Sequence, residues 1–311
     1  MKYPNLILIA LAAALLLTGC GLFAPPAQTD PTQSNPATTE ATKETEVPPT
    51  TEEVVPPTTE LRVGWYDADG ERWYYDETGV MVTGWQEIEG KRYYFREDGT
   101  MARGKVNIDG VDTFFTSAGA YILLVNPWNP VPEGYTVDLV ELPSSISTSG
   151  GKVDRSCYDA LVTMLKDCNK ECPKACVVST YRTYEYQVKL FNRKVNYYRN
   201  KGYDEAEAKV LAAQVVAVPG TSEHHLGLAV DIVDTRSWDL TEEQATLPAQ
   251  KWLMENSWKY GFILRYPEGT TDVTGIIWEP WHYRYVGKEV AEELHNSGQT
   301  LEEYIDALTR K

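Results

Sequence analysis
Apolar and polar positions change rhythm several times along this 311-residue chain. After Met1-Lys2 comes an unbroken apolar run from Leu6 to Leu17, too short to span a bilayer as a mature helix and shaped like a secretory signal. Residues 24–60 have no period. They are rich in Pro, Thr and Glu, cannot bury enough apolar surface to offset chain entropy, and are expected to be a disordered, extended linker. From Gly64 the pattern recurs every 20 residues: Gly64, Gly84 and Gly104 are so spaced, as are Gly70, Gly90 and Gly110, and Gly79, Gly99 and Gly119. Between the second and third glycine of each unit lies an aromatic block, Trp73-Tyr74-Tyr75, then Tyr93-Tyr94-Phe95, then Thr113-Phe114-Phe115. Aromatic strands broken by Asp-Gly or Glu-Gly predict successive β-hairpins, each burying its rings on the next.

Beyond Asn126 the helical period takes over. It predicts helices over 154–169, with Leu161, Met164, Leu165 and Cys168 on one face, and over 184–200, with Val188, Phe191, Val195 and Tyr198. A third runs over 204–216 and stops at Pro219-Gly220, a fourth precedes Gly261, and a last begins at Thr300 with the capping box Thr300-Leu301-Glu302-Glu303. A period of two marks strands. Over 225–232 it puts Leu226, Leu228, Val230 and Ile232 in the core and Gly227, Ala229 and Asp231 on the other face. After Pro280, Trp281, Tyr283 and Tyr285 alternate with His282, Arg284 and Val286. The organisation read from these shifts is a signal peptide (1–19), a linker (20–60), a hairpin repeat module (62–123) and one α+β domain (124–311).

The net charge is −16, from 45 acidic and 29 basic residues, which argues against a nucleic-acid partner. Outside the apolar start lie Cys157, Cys168, Cys172 and Cys176. An exported chain favours disulfides among them, with three full pairings open, and a second zinc site is the alternative.

Three of the four histidines fall in two short stretches, Ser222-Glu223-His224-His225-Leu226-Gly227-Leu228-Ala229-Val230-Asp231 and Glu279-Pro280-Trp281-His282. Imidazole and carboxylate are zinc donors, and three protein ligands with an open fourth position is the catalytic pattern. His224, Asp231 and His282 are therefore the candidate ligands of one Zn2+, with Glu279 as candidate base. His225 reads as a residue beside the ligands, and His295 as a surface residue.

Three resemblances add to this reading. Leu17-Thr18-Gly19-Cys20 resembles the lipobox of bacterial lipoproteins, which implies cleavage before Cys20, lipidation of its thiol and a membrane anchor on the outer face. The units from Gly64 and Gly84 resemble the choline-binding repeats of Gram-positive surface proteins, in which aromatic cages hold quaternary ammonium groups. Lys105 and Thr113 break the pattern in the third unit, so a choline or wall-polymer site and a stiff spacer that binds nothing both stand. Finally, Ser-x-His-x-x-Gly-x-Ala-x-Asp with Glu-x-Trp-His is similar to the signature of VanY-type D-alanyl-D-alanine carboxypeptidases. So are Asn126-Pro127-Trp128-Asn129-Pro130, Ser179-Thr180-Tyr181-Arg182-Thr183 and the run Tyr260–Pro267. That resemblance implies the α+β fold of hedgehog-like peptidases, Arg182 as the group that stabilises the oxyanion, and Ser222 and Gln187 as substrate contacts. It further implies peptidoglycan stem peptides as substrate, trimmed of a terminal D-Ala. An L,D-carboxypeptidase and a wall-binding protein with an inactive domain are the alternatives.

Overall fold
The computed structural model describes residues 61–309 apart from residues 149 and 173. The signal peptide, Cys20 and the linker lie outside the described residues. Among the described residues no helix is long and apolar enough to cross a membrane.

The period of 20 folds into three hairpins. Strands β1 (Gly64–Ala68) and β2 (Glu71–Tyr75) pair antiparallel, as do β3 (Gly84–Ile88) with β4 (Lys91–Phe95) and β5 (Gly104–Ile108) with β6 (Val111–Phe115). Each turn is a pair of left-handed residues: Asp69-Gly70, Glu89-Gly90 and Asp109-Gly110 all have positive φ. This is the requirement of a two-residue turn that matches the strand twist. The units join by a socket. A Cβ on Gly99 would strike the Met81 sulfur, and one on Gly119 would strike the Met101 sulfur, so each methionine fills the space that the next unit's glycine leaves. Trp65 packs against Tyr74, Tyr93 and Phe95, and Trp85, 20 residues on, against Tyr94 and Phe115. In place of the missing third-unit aromatic at Thr113, Trp85 meets Tyr121 of β7 (Tyr121–Ile122). Guanidinium groups cover these rings: Arg72 lies 5.2 Å from the Trp65 ring centre, and Arg92 lies 4.6 Å from Trp85 and 5.6 Å from Tyr121.

The C-terminal domain opens with the small ladder of β8 (Leu139–Glu141) and β9 (Lys152–Asp154). Its centre is a four-stranded antiparallel sheet of β10 (Ala175–Ser179), β11 (Ala229–Asp234), β12 (Phe262–Leu264) and β13 (His282–Tyr285), in the order β10-β11-β13-β12. Helices α1 (Arg155–Glu171) and α4 (Pro248–Asn256) cover one face, where Leu161, Met164, Leu165 and Leu253 meet Val177, Val230, Ile232 and Tyr283. Asp154 caps α1 and Thr183 caps α2 (Tyr184–Asn200), each accepting a backbone N–H. A full capping box starts α3 (Glu205–Ala213). After the short α5 (Thr271–Thr274) and α6 (Lys288–Ser297) comes α7 (Leu301–Thr309), whose box at Thr300 and Glu303 forms as the sequence predicts.

The third hairpin belongs as much to this domain as to the repeats. Its Phe114, with Ile122 and Leu124 just after it, packs with Ile263, Val290, Leu294, Leu301 and Ile305, and Lys91 of the second hairpin adds an ion pair to Glu289 at 2.9 Å.

Two expectations are corrected. The strand expected over 225–232 begins only at Ala229. Residues Glu223–Leu226 form a 3-10 turn that Gly227 ends at φ 69, where a Cβ would press on Val137 and the Asp154 backbone. Among the described residues Cys157, Cys168, Cys172 and Cys176 are free thiols rather than disulfides. Cys157 and Cys168 lie 11 residues apart on α1, about 16 Å at helical rise and far beyond bridging distance. Their thiols are core groups that donate to the carbonyls of Asp154 and Ala249.

Gly90 and Gly99 both have positive φ, but only Gly99 receives a side chain. Gly90→Ala should cost about 1 kcal/mol of unfolding free energy, and Gly99→Ala about 1–3 kcal/mol more from overpacking, both read by urea denaturation. Equal losses would refute the socket.

Candidate active site
Strand register builds the site. Asp231 on β11 lies directly opposite His282 on β13, and Ser179 on β10 lies opposite Asp231 on its other side. Side chains so paired share a face with Cβ atoms about 5 Å apart. Ser179 reaches that face through a register shift after Val177, which points into the core. The 3-10 turn supplies His224 from the edge.

Three bonds staple this turn to the loop after β10. His224 Nδ1 donates to Thr180 O at 2.8 Å, Arg182 N donates to His224 O at 3.1 Å, and His225 Nδ1 donates to Arg182 O at 2.7 Å. His225 Nε2 accepts from Gly220 N, so its ring is fixed in a neutral tautomer beside the candidate ligands. His295 is exposed and stacks on Trp258.

With Nδ1 committed, His224 turns Nε2 toward Asp231 Oδ2 at 3.4 Å, and His282 Nδ1 stands 3.2 Å from Asp231 Oδ1. One donor atom from each of His224, Asp231 and His282 lies within 4.8 Å of the others, and all three residues are buried. The geometry tests well as a cation site. Asp231 Oδ1 is buried with no hydrogen-bond partner among the described residues, and two imidazoles with a carboxylate are a zinc donor set. The electrostatics agree. Burial would lower His282, but the Asp231 and Glu223 carboxylates raise it to about 9, so a proton is held where a cation would compete with it. Burial, with the Arg182 charge, pushes His224 down to about 4.

Glu279 ends the loop before β13 with its carboxylate 3.5 Å from His282 Nδ1, and burial pushes it up to about 8. Arg182 Nη2 donates to Asp231 Oδ2 at 2.6 Å and to Ser179 Oγ at 2.7 Å. Ser222 is buried on the wall of a cavity of about 270 Å3 that also holds Arg182, His224, Asp231, Glu279 and His282. Gln187, expected as a substrate contact, does not line this cavity. It is fully buried, donates to Ala217 O at 2.8 Å, and faces Arg182 Nη1 at 3.5 Å, so it meets the cavity through Arg182.

Residues 150–288 match the family model described as VanY, D-alanyl-D-alanine carboxypeptidase, and residues 82–120 match the choline-binding repeat model. The zinc-bound crystal structure of a variant of the vancomycin-resistance D,D-pentapeptidase VanY, from a VanB-type cassette, is 42% identical. The match covers 59% of this chain and 97% of that one, with a TM-score of 0.53. The chain belongs to the VanY family. The LdcB LD-carboxypeptidase structure is 34% identical over 66% of this chain and 94% of that one, also at a TM-score of 0.53. A D-alanyl-D-alanine carboxypeptidase of Enterococcus faecalis is 42% identical over 60% of this chain, and the match spans 65% of that protein's length.

Sequence reasoning missed several residues of this VanY-family site. Arg193 and Lys194 of α2 bring positive charge to the cavity wall, and Tyr266 packs its ring 4.8 Å from His282. Glu223 stands inside the motif, yet a carboxylate next to a histidine carries no signal by itself. The signal available was a pair of arginines, Arg265 and Arg284, in stretches that otherwise read as buried strand.

Gln187→Leu would leave the buried Ala217 carbonyl unpaired. It should lower stability by about 1–3 kcal/mol, read by thermal denaturation. No loss would mean that Ala217 O is otherwise satisfied.

Proposed function
We propose that this chain is an extracellular zinc carboxypeptidase that removes the terminal D-Ala from peptidoglycan stem peptides. The observation that carries the reading is the buried triad of His224, Asp231 and His282 with Glu279 beside it in one cavity. The family supports the reaction, and the cations Arg193 and Lys194 on the wall suit a substrate that ends in a free carboxylate.

His224 Nε2, an Asp231 oxygen and His282 Nδ1 would hold the ion. When bound, zinc lowers the pKa of a coordinated water and polarises a carbonyl. Glu279 is placed to accept the proton of the attacking water and pass it to the leaving amine, and its site, poised near neutral pH by burial, suits both transfers. Arg182, held by Ser179 and Asp231, sets a fixed positive charge beside the triad, where an oxyanion develops. Ser222 and the Gln187-supported Arg182 would orient the peptide.

A second reading, an L,D-carboxypeptidase acting on tetrapeptide stems, is favoured by the likeness to LdcB. Incubation of the intact protein with pentapeptide and tetrapeptide muropeptides, followed by mass spectrometry, separates the two. Loss of one D-alanine from the pentapeptide alone is expected, and cleavage of the tetrapeptide would move the assignment. Chelator should abolish the activity. Glu279→Ala should retain zinc and lose on the order of 10²- to 10⁴-fold in rate. Chelator-insensitive activity would end the zinc model, and zinc binding without activity would favour the wall-binding protein.

Around this domain we propose lipid attachment at Cys20 and placement on the outer face of the cytoplasmic membrane, facing the wall. Cys20→Ser should release the protein from membranes. The repeats have two readings, choline-like ligands of the wall or a spacer. The family match favours the first, while the guanidinium groups already over Trp65 and Trp85 favour the second. Titration with choline under tryptophan fluorescence should give no saturable change in the wild type, and a saturable change would establish the ligand site.

A further inference from the structure
A buried charge cluster lies beneath the triad, and the reaction as derived does not use it. Glu223 is fully buried, and its Oε1 accepts from Arg265 Nε and Arg284 Nη1, each at 2.8 Å. The two guanidinium groups are fixed in turn. Arg265 makes a two-bond contact with Glu302, at 2.8 and 2.6 Å, and Glu302 accepts from Asn126 at 3.0 Å. Arg284 Nη2 donates to Leu123 O at 2.8 Å. Both arginines thus take the same oxygen of Glu223 and leave Oε2 over.

That remaining oxygen is the informative atom. Glu223 Oε2 and His282 Nε2 are both buried, and among the described residues neither has a hydrogen-bond partner. They face each other at 3.7 Å. The other nitrogen of the same ring, Nδ1, faces Asp231 Oδ1 at 3.2 Å. One edge of the His282 ring therefore addresses the triad and the other addresses Glu223. Buried ion pairs are weak devices for stability, since well-packed apolar side chains often serve as well or better. Two arginines and two carboxylates under a cavity floor call for another role.

We propose that Glu223 is a positioning residue. Its Oε2 accepts the proton on His282 Nε2, which fixes the ring tautomer and leaves the Nδ1 lone pair for the cation. Arg265 and Arg284 hold the carboxylate in aim, and through Leu123 and Asn126 the segment that joins repeats to domain becomes part of that support. An imidazole ligand that donates its second N–H to a carboxylate is oriented and made more basic. The inference rests on the reading of His224, Asp231 and His282 as a metal centre.

Three measurements test it. The zinc affinity of the intact protein, by chelator competition, should fall about 10- to 100-fold in Glu223→Gln, the absorption of the cobalt-substituted protein should shift, and Glu223→Asp should recover part of both. Unchanged affinity and an unchanged cobalt spectrum in a folded Glu223→Gln protein would overturn the role of Glu223 while leaving the metal centre intact. Wild type that binds no zinc would overturn both readings. Should Glu223→Gln not fold, the zinc-loaded wild type decides. With only four histidines, its 15N-labelled imidazoles can be assigned. His282 Nε2 should carry a deshielded, slowly exchanging proton. An unprotonated Nε2, or exchange as fast as at the exposed His295, would refute the proposal.

Discussion
The pairing register of β11 and β13 is the constraint on which the site depends. It sets Asp231 against His282 and, one residue on, Val230 against Tyr283. The first pair faces the cavity and the second enters the core under α1 and α4. A slip of one residue would exchange the two faces, expose Val230 and Tyr283, and drive two ionisable groups into the apolar core. Burial of the core face thus enforces the position of the candidate ligands, and much of the geometry needed to hold a cation follows from ordinary hydrophobic packing.

The chemistry on the cavity face then works against that burial. Asp231, Glu223 and Glu279 are all buried within contact of His282. Burial would raise Asp231 and Glu223, but the charges beside them win. His224 and Arg182 keep Asp231 well below the usual carboxylate range, and Arg265 and Arg284 do the same for Glu223. Glu279 has no guanidinium in ion-pair contact among the described residues, and burial prevails there. Three carboxylates in one small region thereby take different protonation preferences from their neighbours, which is how acid–base roles are divided in such sites.

What the sequence made legible was whatever repeats or alternates. The hairpins followed from glycine spacing, helices α1 and α2 from apolar spacing, α7 from its capping box, and the triad from the concentration of histidine in two motifs. What it hid depends on contacts between distant residues. Arg284 is only an alternating strand position in the sequence, and Arg265 one residue of a motif, until Glu223 is seen between them. Gln187, implied as a substrate contact, instead holds Ala217 O, 30 residues away, and reaches the cavity only through Arg182. The free cysteines were misread because compartment chemistry favours disulfides, whereas the helix spaces Cys157 and Cys168 too far apart to bridge.

The methionine–glycine socket has a consequence for length. Leu61, Met81 and Met101 fill the same space over Gly79, Gly99 and Gly119, so the upper and lower ends of a hairpin unit are interchangeable in shape. The third unit is specialised, with Tyr121 closing its aromatic row and Phe114 turned toward the C-terminal domain, and the second adds the Lys91–Glu289 pair. A further unit inserted above the second would find a matching surface on both sides and leave the Lys91–Glu289 and Tyr121 contacts untouched. The distance between the cavity and the start of the stack can therefore change in whole-hairpin steps, a discrete adjustment of height that leaves the C-terminal domain as it is.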